Sequence, residues 1–372
     1  MTNIAAHLAS RNLTVEKAAA KAGLSRERFE QVASGARATL GEMRGIAKAL
    51  RIPISSLMDK APAEPIQMLF RQTLDQREVE VASHVDVLSA QVRDVLLIAR
   101  GLPSNLSWLD LFKGLEPLLE NAEDFARRFR ASLANLDELE PFPHLPQVIN
   151  ELGIFMLFSR DPGIEGVSAI VEGYAMMILG ARGFKPRMLF TIAHELGHLA
   201  AHHNSRLDGY AHLDKEVGGL SSPRRAEEKF ADAFAAALVL PRHGVLSALK
   251  AIREQLGISN KPLGAIEISW IAHLFHVSFE VAARRFETLE LLRPSGARAF
   301  YQKLEDDYKN PERFAAAIDI PARPNLLIET SSALIEAAVA KVRSGGLSIG
   351  KAAELLNVPV STLVVANADI NV

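Results

Sequence analysis

The 372-residue chain contains no cysteine. Disulfides and thiolate metal sites are thereby excluded, and any bound metal must rest on imidazole and carboxylate ligands. The same absence suits a reducing compartment, so a cytoplasmic location is expected. No run of about 18 apolar residues is free of charge, and no transmembrane span or membrane partner is expected. The nearest approach, around 231–241, is short and begins at acidic residues. The N-terminus, MTNIAAHLASRNLTVEKAAA, lacks the basic region, long apolar run and cleavage site of a secretory leader. An excess of one charge sign is missing too, since the formal net charge is -2. What the chain does have is 48% hydrophobic and 23% charged residues, a composition that packs a core. Its length allows two or three domains.

The charge is unevenly spread. Residues 1–60 carry ten Lys or Arg against five acids, a net +5. That balance permits nucleic-acid binding, and solvated helix faces produce it equally well. The same segment reads as five short helices, 3–11, 15–21, 25–33, 39–49 and 54–58. Gly23 and Gly35 punctuate them, and Thr14, Ser25 and Thr39 are placed as N-caps. Ala18, Leu24, Phe29, Leu40, Ile46 and Leu50 offer a small core. APAEP at 61–65 reads as a linker.

Helical periodicity follows over 66–98, then a loop over 99–107 and a helical stretch over 108–135 broken near Pro117. PFPHLP at 141–146 interrupts the chain. IFMLF at 154–158 reads as a strand, and a second strand is expected over 171–179. A long amphipathic helix is expected over 187–202 and an alanine-rich one over 224–240, stopped by Pro241. Between them, 205–223 reads as a loop or partly helical lid. A helix at 243–256 and a helical pair at 264–289 come next. In the tail, KAAELLNVPVSTLV at 351–364 repeats the rhythm of short helix, tight turn and short helix seen near residue 20. Residues 296–372 carry no chemical motif.

The chemistry concentrates in HELGH, 194–198. A helix turns about 100° per residue, so His194 and His198 share a face one turn apart and can bind one metal ion. Glu195 falls beside them, placed to take a proton from metal-bound water. A helix that happens to carry two histidines on one face is the plainer alternative. A third ligand is expected from EEKFADAFAAALVLP, 227–241. Glu228 and Asp232 are four apart and share a face, so Glu228 can bind the metal while Asp232 orients a ligand histidine. Glu227 competes for the ligand role. The three acids also suit a solvated helix N-terminus.

MLFTIAHELGHLAAHH, 188–203, and EEKFADAFAAALVLPR, 227–242, together resemble the ImmA/IrrE family of metallopeptidases. The matching positions are Phe190, Thr191, Ile192 and Ala193 before HELGH, then Glu228, Ala231, Asp232, Phe234, Ala235 and Pro241. Asp232 stands where the family usually has Asn, and His202 matches a histidine often found after the motif. The resemblance implies a zincin-like α+β domain holding Zn²⁺ on His194, His198 and Glu228, with Glu195 as general base. Manganese can replace zinc on such ligands. A transition-state donor is expected among Tyr210, His202 and His203.

LTVEKAAAKAGLSRERFEQVASGARATLGEMRGIAKALRIPISSLM resembles the XRE-type helix-turn-helix of repressor-like regulators. Val15 stands where that family often has Gln. The resemblance implies a lambda-repressor-like five-helix domain with 25–33 in the major groove, and Ser25, Arg26, Arg28 and Gln31 facing bases. Arg37 and Arg44 are the phosphate-contact candidates. A helical domain kept for protein contacts is the alternative.

The expected fold is mainly α with a small β-sheet. Its expected parts are a helix-turn-helix domain at 1–60, a helical linker or dimerisation region at 61–145, a peptidase domain at 146–290 and a helical C-terminal region at 291–372. The expected function is a DNA-binding zinc metalloendopeptidase that cleaves a repressor or itself in stress or phage-related control. Its expected partners are a double-stranded DNA operator, a repressor substrate and a second copy in a homodimer. The alternative is an XRE-family transcriptional regulator whose peptidase-like domain senses a metal or ligand without efficient catalysis.

Overall fold

The computed structural model describes Ile4, Leu8 and residues 14–50, 54–57, 79–161, 163–202, 210–214 and 226–369. The first part is a small helical cluster. Helix α1, Val15–Ala22, starts behind Thr14, whose hydroxyl accepts from Lys17 N, and stops at Gly23 in the left-handed region. Helix α2, Arg26–Ala33, is capped by Ser25. Helix α3, Leu40–Leu50, opens with a reciprocal cap: Thr39 Oγ1 accepts from Glu42 N, and the Glu42 carboxylate accepts from Thr39 N. Residues Ile54–Leu57 form a tight 3₁₀ turn instead of the expected helix at 54–58. Ala18, Phe29, Val32, Ile46, Leu50 and Leu57 bury one another in a core of their own. The expected helix at 3–11, Ile4 and Leu8 apart, and the linker at 61–65 lie outside the described residues.

Helix α4, Val79–Ala99, is followed by 3₁₀ turns at Ser107–Phe112 and Leu119–Asn121. Helices α5, Ala122–Ser132, and α6, Leu145–Glu151, lead into strand β1, Phe155–Phe158. Strands β2, Gly166–Val171, and β3, Tyr174–Leu179, form a hairpin. The strand expected over 171–179 is β3 together with the turn before it, and β2 was not anticipated. Glu172 and Gly173, at φ 51° and 80°, make the two-residue turn between them, where a positive φ at both positions matches the strand twist. Helix α7, Lys185–His202, carries the HELGH run. Strand β4, Tyr210–Asp214, falls inside the segment read as a loop or lid. It forms by pairing with the β2 edge, a long-range contact that local sequence does not announce. The sheet runs β1-β3-β2-β4, parallel between β1 and β3 and antiparallel elsewhere.

Helices α8, Ala226–Val239, α9, Arg242–Gln255, α10, Ala265–Leu274, and α11, Phe279–Thr288, follow. After them come α12, Gly296–Tyr308, α13, Pro311–Ala317, α14, Ser332–Arg343, α15, Ile349–Leu356, and α16, Val360–Asp369. No single helix among the described residues is long and apolar enough to cross a membrane.

Alternation along the strands divides the interior in two. Ile170, Met177 and Leu179 face α7, α8 and the helices beyond. Val167, Ala169, Val171, Met176 and Ile178 face the other way, onto α4 and α14–α16. The C-terminal helices therefore cover the second face of the sheet. Polar ties fasten them there. Ser331 N donates to Met156 O at 2.8 Å, and Met156 N to Ser331 Oγ at 2.7 Å. Arg160 pairs with Asp94 of α4 and donates to the Glu354 and Leu355 carbonyls at the end of α15. On the other side, buried Arg130 and Arg285 donate to the carbonyls of Leu238 and Leu240, which the end of α8 would leave unsatisfied. Burial brings the Arg130 guanidinium down to about 10. These contacts fix the helix that carries Glu228.

Candidate metal centre

The site is built where α7 crosses α8. Gly197 permits the close approach: a Cβ there would stand 3.0 Å from Phe234 Cδ1 and 3.2 Å from Ala231 Cα. One helical turn separates His194 from His198, and both are fully buried. Their Nε2 atoms lie 3.1 Å apart. Glu228, in the first turn of α8, reaches over them. Its Oε2 is 3.5 Å from His194 Nε2, and its Oε1 is 3.6 Å from His198 Nε2.

These separations test whether a metal fits. Ligand atoms about 2.0–2.1 Å from a tetrahedral ion stand about 3.3–3.4 Å from one another. The three distances bracket that value, and among the described residues these three form a group of potential ligands within 4.8 Å. Two imidazoles and a carboxylate are a donor set for zinc and similar divalent ions, with a fourth position left open. Of the two acids considered for the third ligand, the structure brings in Glu228, while Glu227 is exposed.

Asp232 sits one turn further along α8. Its Oδ1 is 3.0 Å from His194 Nδ1. An ionised carboxylate can only accept, so Nδ1 carries the proton and the Nε2 lone pair is turned toward the shared position.

Glu195 is fully buried between α7 and the start of β2. Gly166 makes the space: a Cβ at that position would lie 2.8 Å from Glu195 Cδ. Sequence reading missed this residue. The available signal was a glycine opening an otherwise apolar strand, which marks a close approach. Ser168, two positions on and on the same face of β2, is also fully buried.

The other expected residues fall elsewhere. His202 ends α7 and Tyr210 begins β4, with their side chains outside the described set, and His203 lies outside it entirely. In the N-terminal cluster Ser25 is a helix cap. Arg26 pairs with Glu16 at 2.6 Å and Glu30 at 2.9 Å. Arg28 grips both oxygens of Glu42, at 2.7 and 3.0 Å, and donates to the Arg37 carbonyl and the Gln31 side chain. The Arg28 pairing, with the Thr39 N–H, holds the Glu42 carboxyl down to about 2. Arg37 and Arg44 are exposed.

Comparison with known families gives two matches. Residues 151–287 match the IrrE N-terminal-like domain of the Peptidase M78 family. Residues 333–367 match a helix-turn-helix, the Psq domain. No curated protein matches the chain. An IrrE-like peptidase domain is thus fused to a helix-turn-helix domain, and a metal-capable cluster lies within the former.

The second match corrects the expected architecture. The helix-turn-helix lies over α14, α15 and most of α16, against the sheet of the IrrE-like region, and not in a lambda-repressor-like domain at residues 1–60. Its type is Psq, not XRE. The cue that misled is generic. Ser348 caps α15 and Asn357 ends it in the left-handed region, just as Thr14 and Gly23 bound α1. Short capped helices and scattered basic residues do not distinguish one small helical cluster from another.

Proposed function

We propose that the chain is a DNA-binding regulator whose IrrE-like domain holds a divalent metal, zinc by preference, on His194, His198 and Glu228 and reads its occupancy. The observation that carries this reading is the convergence of those three donors at metal-ligand spacing, on helices packed against the sheet whose opposite face the helix-turn-helix covers. The sheet is the shared element through which occupancy of the cradle can bias the C-terminal helices. Asp232 fixes the His194 ring, Gly197 sets the helix crossing, and Arg130 and Arg285 hold the far end of α8. The IrrE-like domain is assigned to 146–290, with 61–145 supplying α4 behind the sheet and α5 beside α8. The protein acts in the cytoplasm.

A second reading, peptide hydrolysis, is favoured by one specific observation. Glu195 is buried next to the cradle in space that only a glycine at 166 leaves open. Bound zinc supplies Lewis acidity there. The chain supplies the Glu195 carboxylate, one residue from His194, as a group able to accept a proton from water and return it to a leaving amine. The substrate on this reading is a repressor protein or the chain itself.

One experiment separates the two. DNA affinity of the wild type and of Glu195→Gln is measured with zinc and with chelator, and the same samples are examined by intact-mass spectrometry with candidate repressors. The sensing reading expects the metal to change DNA affinity in both proteins without fragments. Fragments from the wild type and none from Glu195→Gln establish hydrolysis. DNA affinity indifferent to metal, with no fragments, contradicts both.

A further inference from the structure

A second site lies away from the metal cradle. Helices α9 and α10 and the segment after α13 enclose a cleft of about 490 Å³, a volume usual for small-molecule sites. Its walls are mainly apolar: Ile252, Leu256, Trp270, Leu274, Ile320 and Pro324. Gln255 and His273 lie along that lining, and so do two polar residues with hydrogen-bonding capacity left over, His276 and Arg323.

Both carry a buried nitrogen with no hydrogen-bond partner in the protein, Nδ1 of His276 and Nε of Arg323. The His276 residue is 9% exposed, and so is the Arg323 side chain. Buried polar groups are paired in the large majority of cases, and each one left over needs an explanation. The other two nitrogens of Arg323 are each engaged. Nη1 pairs with Glu312, and Nη2 donates to the Val277 carbonyl at 3.0 Å. Nε is what remains. His276 is held just past the end of α10 at φ 58°, a left-handed backbone that costs a non-glycine residue and fixes where the ring stands. Its neighbour His273 is occupied otherwise, with Nδ1 on the Pro321 carbonyl at 3.0 Å and Nε2 3.6 Å from Glu312.

We propose that this cleft binds a small carboxylic acid with an aromatic or aliphatic body, its carboxylate accepting from Arg323 Nε and His276 Nδ1 while the body lies against Trp270 and the apolar wall. The apolar lining selects the body. The two leftover nitrogens select the acid over its amide or alcohol, because a charged acceptor pairs with them more strongly than a neutral one. Metal ions are a poor occupant: the lining holds a guanidinium and no carboxylate. This site does not depend on the metal cradle.

The chain contains two tryptophans, and Trp108 is 3% exposed inside the large core, so a change in emission on binding at the cleft reports chiefly on Trp270. The full chain is titrated with 3-phenylpropionate and octanoate and with their amides, following emission and confirming by calorimetry. Saturable binding of at least one acid, at least about tenfold tighter than its amide, is expected. His276→Asn keeps a residue tolerant of the left-handed backbone and removes the ring. Ala251→Phe fills the mouth without touching either nitrogen. Each is expected to weaken the acid at least about tenfold while its melting curve at pH 8, where His276 is uncharged in both folded and unfolded chains, stays that of the wild type. Because Arg323 also holds Glu312 and Val277, it is left unchanged. No saturation by either acid overturns the proposal. Equal binding of acid and amide, or acid binding that both variants leave unchanged, overturns it as well.

Discussion

The two ends of the chain carry helical clusters of similar local grammar and different standing in the fold. The cluster of α1–α3 closes on its own core of Phe29, Val32, Ile46 and Leu50. The cluster of α14–α16 has no such independence. Leu334, Leu356 and Leu363 share one core with the sheet and α4. Caps, turns and helix lengths are alike at both ends, so local sequence alone does not separate them. What separates them is where their apolar faces go. A self-contained cluster can be lost or altered without the rest, whereas a cluster that covers a sheet face is part of that sheet's stability.

The largest effect expected from this contrast is on truncation. Removing residues 332–372 strips the cover from Val167, Ala169, Val171, Met176 and Ile178. Each large buried aliphatic side chain contributes about 1.5–3 kcal/mol, so a handful is comparable with the usual net stability of about 5–15 kcal/mol. The cooperative melt of the sheet region should vanish. Removing residues 1–60 should leave that melt within a few degrees of the full chain. Similar losses from both truncations would break the comparison.

Point substitutions sharpen it. Leu356→Ala should cost the main unfolding transition about 2–5 kcal/mol in a denaturant titration. Phe29→Ala should cost about 3–5 kcal/mol in a separate transition belonging to the N-terminal cluster. A single transition shifted by both would mean one cooperative unit.

DNA binding gives a smaller, directional test. Lys341 and Lys351 lie in the helix-turn-helix match. Changing both to Gln should weaken DNA binding and reduce the slope of log affinity against log salt by about one per lost phosphate contact. Arg37→Gln with Arg44→Gln should leave that slope unchanged. The reverse pattern would move the DNA-binding role back to the N-terminal cluster.

The smallest effect is on acid stability. In the α10 region, burial lowers His273 and His276 below 6.5, with Arg323 adding to it. Below 6.5 the unfolded chain therefore binds protons before the folded one, and stability falls as pH drops through that window. In the N-terminal cluster the Glu42 carboxyl stays ionised until about 2, against an ordinary 4.5. Its contribution is intact above 4.5 and is lost only as pH falls toward 2. Melting followed with chelator present should show the main transition weakening first on acidification. His276→Asn should flatten that early limb, and an unchanged limb would contradict the assignment.

Much of the site was legible in the sequence, because it depends on short-range spacing. His194, Glu195 and His198 lie within one and a half helical turns, and Glu228 and Asp232 within another. Their ordering on faces follows from helix geometry alone. Gly166 and Gly197 escaped notice because their importance comes from what packs against them, a contact made by distant segments. The sheet was half legible for the same reason. FMLF announces itself as an apolar strand, whereas β4 exists by pairing with β2. The tail rhythm at 351–364 was visible, but its role was not, since nothing local says that those helices cover a sheet.

The most direct test of the account is metal content. The purified chain, dialysed against zinc and freed of excess, should hold about one ion per chain, and His198→Ala and Glu228→Ala should hold none while keeping the wild-type far-UV circular dichroism. Asp232→Ala should still bind, about 10–100-fold more weakly. A folded wild type that retains no divalent ion, or one that retains it equally after loss of His198 and of Glu228, would contradict the assignment of the cradle.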